Sequence, residues 1–373
     1  MALHHLTLIS LNFYVDDVSV KEIIRDNVPR IDYTGGGCPH ILAEPQSTNL
    51  FINSVWDGGT DNVSAPTGWA LADLTDPIYT YSTSQYQSGK KINIQGTGSR
   101  LIIAQTVTIP SNSLVNASVK VKYISGSFSI DKIASTLSPP SDSIKTYYYN
   151  GILVADAFII TEDGILEMRV SSVTGGTVGI RLGLGTGGAA TGHIELDMPQ
   201  CETLTYRTSF IPTTTSTVTR NQDQFSRDGI GSLINSTEGV LFVEFKTLTE
   251  TGVFRQFNLS KDNSNRIYIT KRGDSGNLEF RMENPSGNLN FSFSENTTND
   301  FVKVAFRYGL NNFAVFIDGV NKNVTATGNV FASGTLNTLE FDSPLGQPFF
   351  GKVKQLQVYK TALTDTQLAA LTS

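Results

Sequence analysis

The feature that most limits this chain is a period of two in its apolar residues. The runs "LIIAQTVTIP" (Leu101–Pro110), "VNASVKVKYISGSFSI" (Val115–Ile130) and "ILEMRVSSV" (Ile165–Val173) alternate apolar with polar residues or are dense in β-formers. "FYVDDVSVKEI" (Phe13–Ile23) does the same near the start. Such alternation sends one set of side chains to a core and the other to water. A second block follows, with "GVLFVEFKTL" (Gly239–Leu248), "NRIYITKR" (Asn265–Arg272), "NLEFRME" (Asn277–Glu283), "LNFSFS" (Leu289–Ser294), "FVKVAFRYG" (Phe301–Gly309), "NFAVFIDGV" (Asn312–Val320) and "KVKQLQVYK" (Lys352–Lys360). Gly, Asn, Asp and Ser clusters separate the runs at the spacing of a β-sandwich, and proline stays out of their interiors. One helix is predicted, "TDTQLAALT" (Thr364–Thr372), where Thr364 and Gln367 have the spacing of a capping box. The expected class is all-β: two jelly-roll β-sandwich domains joined by extended connectors, with one short C-terminal helix.

Composition narrows the function. Charged residues make up 17% of the chain, below the usual share of about 25%. The net charge of −6 and the lack of a Lys/Arg stripe argue against nucleic acid. No apolar run approaches the roughly 20 residues of a membrane-spanning helix, and the opening "MALHHLTLISLNFYVDD" reads as a strand and not as a signal peptide. Two cysteines, Cys38 and Cys201, are too few for a disulfide scaffold and lack metal-ligand spacing. Two reduced, buried thiols fit synthesis in a reducing cytoplasm.

Two segments break the pattern. "VPRIDYTGGGCPHILAEPQSTNLF" (Val28–Phe51) carries prolines around a triple glycine, and "TSFIPTTTSTVTRNQDQF" (Thr208–Phe225) is Thr-rich with little alternation. Both read as connectors ordered by docking and not by a ladder of their own. The expected divisions are a terminal strand or attachment segment (1–26), an extended connector (27–54), a first sandwich (55–207), a linker (208–225) and a second sandwich (226–373).

The end of the second block, "FAVFIDGV" and then "PFFGKVKQLQVYKTALTDTQLAALT", resembles the concanavalin A-like, laminin G-type jelly roll through Phe316, Asp318, Gly319, Phe350, Gly351, Val358, Tyr359, Leu363 and Thr364. "NVPRIDYTGGGCPHILAEPQSTNL" and "IELDMPQCETLTYRTSFIPTTTSTVTRNQDQF" resemble a pair of motifs in phage virion proteins, where they bracket a carbohydrate-binding-module-like sandwich. Leu204 departs from that pattern, which usually has glycine there. The resemblance implies a capsid decoration, head fibre or short tail fibre on the virion surface. It also implies contacts with other capsid or tail proteins and a homo-oligomer, with a trimer favoured. Attachment to host cell-surface or environmental glycans follows from the sandwich types, with a dedicated glycan-binding adhesin as the alternative reading and a polysaccharide-degrading enzyme as a third, less favoured one. "FYVDDVSVKE" resembles the closing strand of a carbohydrate-binding sandwich and is expected to pair with a neighbouring domain, subunit or particle. The two bracketing segments are expected side by side, with Cys38 and Cys201 close and with Arg30 and Arg220 paired to Asp32, Glu44 or Glu202 in a structural seam.

No catalytic set is assigned. HExxH, GxSxG and paired-cysteine spacings are missing; of the four histidines, His4 and His5 are terminal, His40 lies in the connector and His193 follows the Gly-rich run. The Gly-rich "GLGTGGAATG" (Gly183–Gly192) precedes a strand and not the helix that a dinucleotide loop needs. The carboxylate pairs Asp16/Asp17, Asp57/Asp61, Asp73/Asp76 and Glu162/Asp163 do not define a glycosidase pair, so the chain is read as a non-enzyme without a cofactor. The "DGGTD" loop offers Asp57 and Asp61 as calcium ligands, with a solvated turn as the plainer reading. Trp56, Trp69, Tyr79 and Tyr81, with Tyr86 and the run Tyr147–Tyr149 nearby, suit either glycan stacking or a core and interface. As glycan contacts, the first four are the candidates.

Overall fold

The computed structural model describes residues 30–33, 39–248, 254–298, 300–324, 326–343 and 346–373. The expectation for Phe13–Ile23, the pair His4 and His5, and Cys38 lie outside these residues. Strands dominate, and the α-helix Asp365–Thr372 lies at the C-terminal end. Thr364 caps it: its hydroxyl accepts from the Gln367 N–H, while the Gln367 side chain accepts from the Thr364 N–H.

The first sandwich is organised by one long strand, Lys90–Ile109. Sequence reading saw only its second half. The first half pairs with Ile78–Thr83 and with Ala190–Glu202. That sheet continues through Ser113–Ser127, Gly164–Ser172, Ile144–Tyr149 and Ile152–Val154. The second half crosses to the opposing sheet, pairing with Ala70–Thr75 and Gly176–Leu184. The crossing falls at Gly96–Ser99, where Gly98 adopts φ +65°, a conformation that costs glycine little. Alternating residues from both sheets fill a single core, including Ile92, Ile94, Val119, Met168, Val170, Ile180 and Ile194. Gly183 lies within this packing at φ +153°, and a Cβ there would meet the Leu101 carbonyl oxygen at 1.8 Å.

The second sandwich packs a six-stranded sheet on a seven-stranded one. Phe245, Phe257, Phe341 and Phe349 interlock between them, with Phe257 and Phe349 centroids 4.2 Å apart. The helix covers the far face of the seven-stranded sheet, where Leu368 joins Val240, Phe242, Ala305, Ala314 and Phe316.

The connector 27–54 departs from its expected form. Arg30–Asp32 and His40–Ala43 build a hairpin. Its second strand then pairs with Gly351–Tyr359 through Ile41↔Val353, Leu42↔Lys352 and Ala43↔Gly351. Residues that precede the first sandwich thus complete a sheet of the second. Further along, Ser47–Asn49 pairs with Val218–Arg220 from the linker 208–225. These segments do form ladders, because each strand borrows its partner from far along the chain.

Candidate functional site

The expected glycan contacts in the first sandwich do not present a platform. Trp56, Trp69 and Tyr79 are buried in the core. Trp69 packs on Phe51 and Trp56 at 4.9 and 5.9 Å, and its indole N–H donates to the Asn53 carbonyl. Tyr81 packs edge-on to Tyr79 and lies beneath the Gly59 backbone, with its hydroxyl donating to the Ser64 carbonyl. The aromatic cluster is therefore a structural one, because its faces are taken by neighbouring rings and backbone.

The "DGGTD" carboxylates have separate tasks. Asp61 accepts the Tyr81 N–H at 2.8 Å, while the exposed Asp57 lies 3.7 Å from the Lys90 ammonium. Among the described residues no group of three or more His, Cys, Asp or Glu is arranged to hold a metal.

The seam residues form a clasp centred on Glu44. Its Oε2 receives Arg30 at 2.6 Å and Arg220 at 2.8 Å, and its Oε1 accepts the Ser209 N–H at 2.9 Å. Asp223, which sequence reading did not assign, takes the other side of Arg30 and accepts the Glu44 N–H. Its position was visible as the last acidic residue of "TRNQD". Asp32 pairs instead with His40 at 3.2 Å and Lys352 at 3.1 Å. Glu202 accepts from Ser47 and Thr208. Cys201 is fully buried, and burial pushes its thiol well above the usual range.

A different region has the character of a receptor. On Arg255–Asp262, Asn265–Lys271 and Leu278–Glu283, alternation sends Phe257, Leu259, Ile267, Ile269, Phe280 and Met282 into the core. The intervening residues face outward, and register aligns them in rows. One row runs Glu340–Asn258–Tyr268–Arg281; the flanking rows are Ser260–Arg266–Glu283 and Gln256–Thr270–Glu279. From these rows Gln256, Arg266, Tyr268, Thr270, Glu279, Arg281 and Glu283 floor a hollow of about 330 Å³ that Phe254, Arg272 and Gln347 rim.

This outward face is buried. Tyr268 is 2% exposed and Arg266 6%. The Arg266 and Arg281 guanidiniums lie 4.3 and 5.6 Å from the Tyr268 ring centroid, a favourable cation–π arrangement. The Tyr268 hydroxyl donates to Glu283 at 3.0 Å, and burial pushes its pKa up to about 12. Arg281 pairs with Glu283 at 3.0 Å, and Arg272 pairs with Glu279 and Asp274. Glu340 accepts the Ser260 hydroxyl at 2.7 Å, and burial raises its pKa. Several buried atoms of its lining have no partner within the protein: Arg266 Nε and Nη1, Arg281 Nε and Thr270 Oγ1. Buried polar atoms are nearly always hydrogen-bonded, so this concentration marks the hollow out.

Two other hollows lack that character. One of about 520 Å³ is lined by Asp142 and Ser172. There Asp142 already accepts from the Ser172 and Thr174 hydroxyls and from the Val173 and Thr174 N–H groups. The other, of about 550 Å³, is lined by Asp57, Lys90 and several threonines.

Residues 241–369 match the concanavalin A-like lectin/glucanases superfamily, so the second sandwich is similar to a concanavalin A-like, laminin G-type domain. Solved structures show distant similarity. The CBM40 of a Ruminococcus gnavus sialidase, bound to α2,3 sialyllactose, is 17% identical over 40% of this chain and 93% of that one, with a TM-score of 0.33. A putative carbohydrate-binding protein from Bacteroides ovatus is 10% identical over 72% and 78%, with a TM-score of 0.29. Domains LG4-5 of the mouse laminin α1 chain are 11% identical over 71% and 88%, with a TM-score of 0.27. No curated protein matches the chain.

Proposed function

We propose that this is a glycan-binding protein and that the hollow over Arg266, Tyr268 and Thr270 receives the sugar. The observation that carries this reading is the mixture of unpartnered atoms on its floor. Arg266 and Arg281 offer N–H donors, and Thr270 offers a hydroxyl that both donates and accepts. A sugar hydroxyl also donates and accepts, so a polyol satisfies such a floor where an apolar ligand does not. The volume lies within the range of about 300–1,000 Å³ found for small-molecule sites. The lectin-type family model over the same sandwich supports the reading. Binding is favoured over catalysis because Glu279 and Glu283 are held by arginines and Glu340 by Ser260, which leaves no carboxylate pair poised for glycoside chemistry. A glycan array on the full chain tests this, repeated with Thr270→Val, which removes the hydroxyl at nearly constant shape. The expected result is a defined set of glycans whose binding the variant weakens several-fold. Binding to no glycan, or binding unchanged by Thr270→Val, overturns it; release of reducing ends assigns hydrolysis instead.

We further infer display on a phage particle, as a capsid decoration, head fibre or short tail fibre. The paired-motif resemblance supports this. So does the pairing of those same motif segments, Ser47–Asn49 with Val218–Arg220, around the Glu44 clasp. Immunogold labelling of intact particles tests it, and unlabelled particles refute it.

A further inference from the structure

Resting on the glycan reading, we propose that the sugar bound in the hollow carries a carboxylate, as in a uronic acid, and that Arg266 is the carboxylate's receptor. Three arginines line the hollow, and two are already neutralised: Arg272 by Glu279 and Asp274, and Arg281 by Glu283. Arg266 is the most deeply placed of the three, yet no described carboxylate forms a salt bridge with it, and its Nε and Nη1 have no hydrogen-bond acceptor. A buried cation without a counter-ion is strongly unfavourable. Guanidinium is the side chain best matched to a carboxylate.

The two nearest acids do not fill that role. Glu283 lies directly opposite Arg266 in the ladder but gives its Oε1 to Arg281 and the Tyr268 hydroxyl. Glu340 lies beyond Ser260, accepts that residue's hydroxyl, and forms no salt bridge with Arg266. The other unpartnered groups extend away from Arg266 along the floor. Arg281 Nε lies in the middle row and Thr270 in the far one, four residues along the strand from Arg266, or about 13 Å. A ligand with a carboxylate at one end and hydroxyls along its length matches that order. Glu279 and Glu283 are held by the other two arginines and Glu340 lies close by, so a ligand dense in negative charge is disfavoured and a singly charged sugar unit suits the site.

Isothermal titration of the full chain decides between charge states. The probes are uronic-acid trisaccharides, built on galacturonate, glucuronate and mannuronate, each beside its carboxyl-reduced counterpart. The acid form is expected to bind at least tenfold more tightly than its reduced partner for one series. Arg266→Met, which keeps the stem and loses the charge, should erase that preference. Glu340→Gln removes a nearby negative charge and should tighten the acid form by a few fold while leaving the reduced form unimproved. Reduced sugars binding as well as acids, or an acid preference that survives Arg266→Met, overturns the carboxylate receptor and leaves the glycan reading standing. If neither form of any series binds and the glycan array is also blank, both readings fall. Should Arg266→Met not fold by circular dichroism, the wild-type preference and the Glu340→Gln response decide the matter.

Discussion

The clasp around Glu44 permits a quantitative test of what joins the two sandwiches. Glu44→Gln removes the carboxylate charge while preserving shape and one carbonyl acceptor, so the Ser209 N–H keeps a partner. What is lost is the pairing with Arg30 and Arg220. Removing one member of a fully buried ion pair costs about 3–5 kcal/mol, whereas exposed pairs contribute about 0–1 kcal/mol. The Glu44 side chain is 6% exposed, but Arg30 is 34% and Arg220 21% exposed. Arg30 also retains Asp223. An intermediate loss of about 2 kcal/mol follows from these two limits. With a urea dependence of about 2 kcal/mol per molar, the unfolding midpoint falls by roughly 1 M. The only two tryptophans, Trp56 and Trp69, lie in the first sandwich, so their fluorescence reports that domain and circular dichroism reports the whole. Asp57→Asn, which removes an exposed pairing with Lys90, serves as the control and should shift the midpoint much less. A Glu44→Gln midpoint equal to that of the control, in a natively folded variant, refutes the assignment of the clasp as an energetic link.

Three further outcomes are expected. His40 is held below its ordinary pKa of 6.5 by burial and by Lys352 and Lys354, with Asp32 opposing. The unfolded chain therefore takes up the proton first as pH falls through about 6.5, and stability declines from there downward; urea melts at pH 7.5 and 5.5 should show a smaller acid loss in His40→Gln. Gly183→Ala drives a Cβ into the Leu101 carbonyl and should cost at least about 3 kcal/mol, or prevent folding; a melting temperature within a degree or two of wild type sinks the clash argument. In a Cys38→Ser background, Cys201 should resist thiol reagents in the native state and react only after denaturant is added, given its burial. Fast native labelling contradicts that placement.

The elements legible in the sequence are those whose chemistry is local. The helix announced itself through Thr364 and Gln367, and the sandwich strands through alternation that needs no knowledge of the partner. The hairpin Arg30–Ala43 was not legible. Strands of three and four residues are too short to show a period, and their partner is Gly351–Tyr359, roughly three hundred residues on. The aromatic cluster misled for another reason: composition cannot distinguish a tryptophan that fills a core from one that offers a face, and Trp56 and Trp69 pack against each other. The hollow was half legible. The runs "NRIYITKR" and "NLEFRME" gave the strands, but their outward residues read as a solvated face. Only register across two strands brings Arg266, Tyr268 and Arg281 together, with Arg266 and Tyr268 buried.

The hairpin also sets an order of events during synthesis. Ile41, Leu42 and Ala43 emerge from the ribosome early, yet the strand they join is among the last to be made. The first sandwich has all its own strands in hand long before that, and a domain of that size folds as a unit once available. The strand His40–Ala43 must then wait, with one edge left to water, until Gly351–Tyr359 arrives. Cutting the chain within the linker 208–225 accordingly does not yield two self-contained halves. A fragment beginning at residue 226 presents the bare edge of Gly351–Tyr359 to solvent, and such an edge recruits foreign strands.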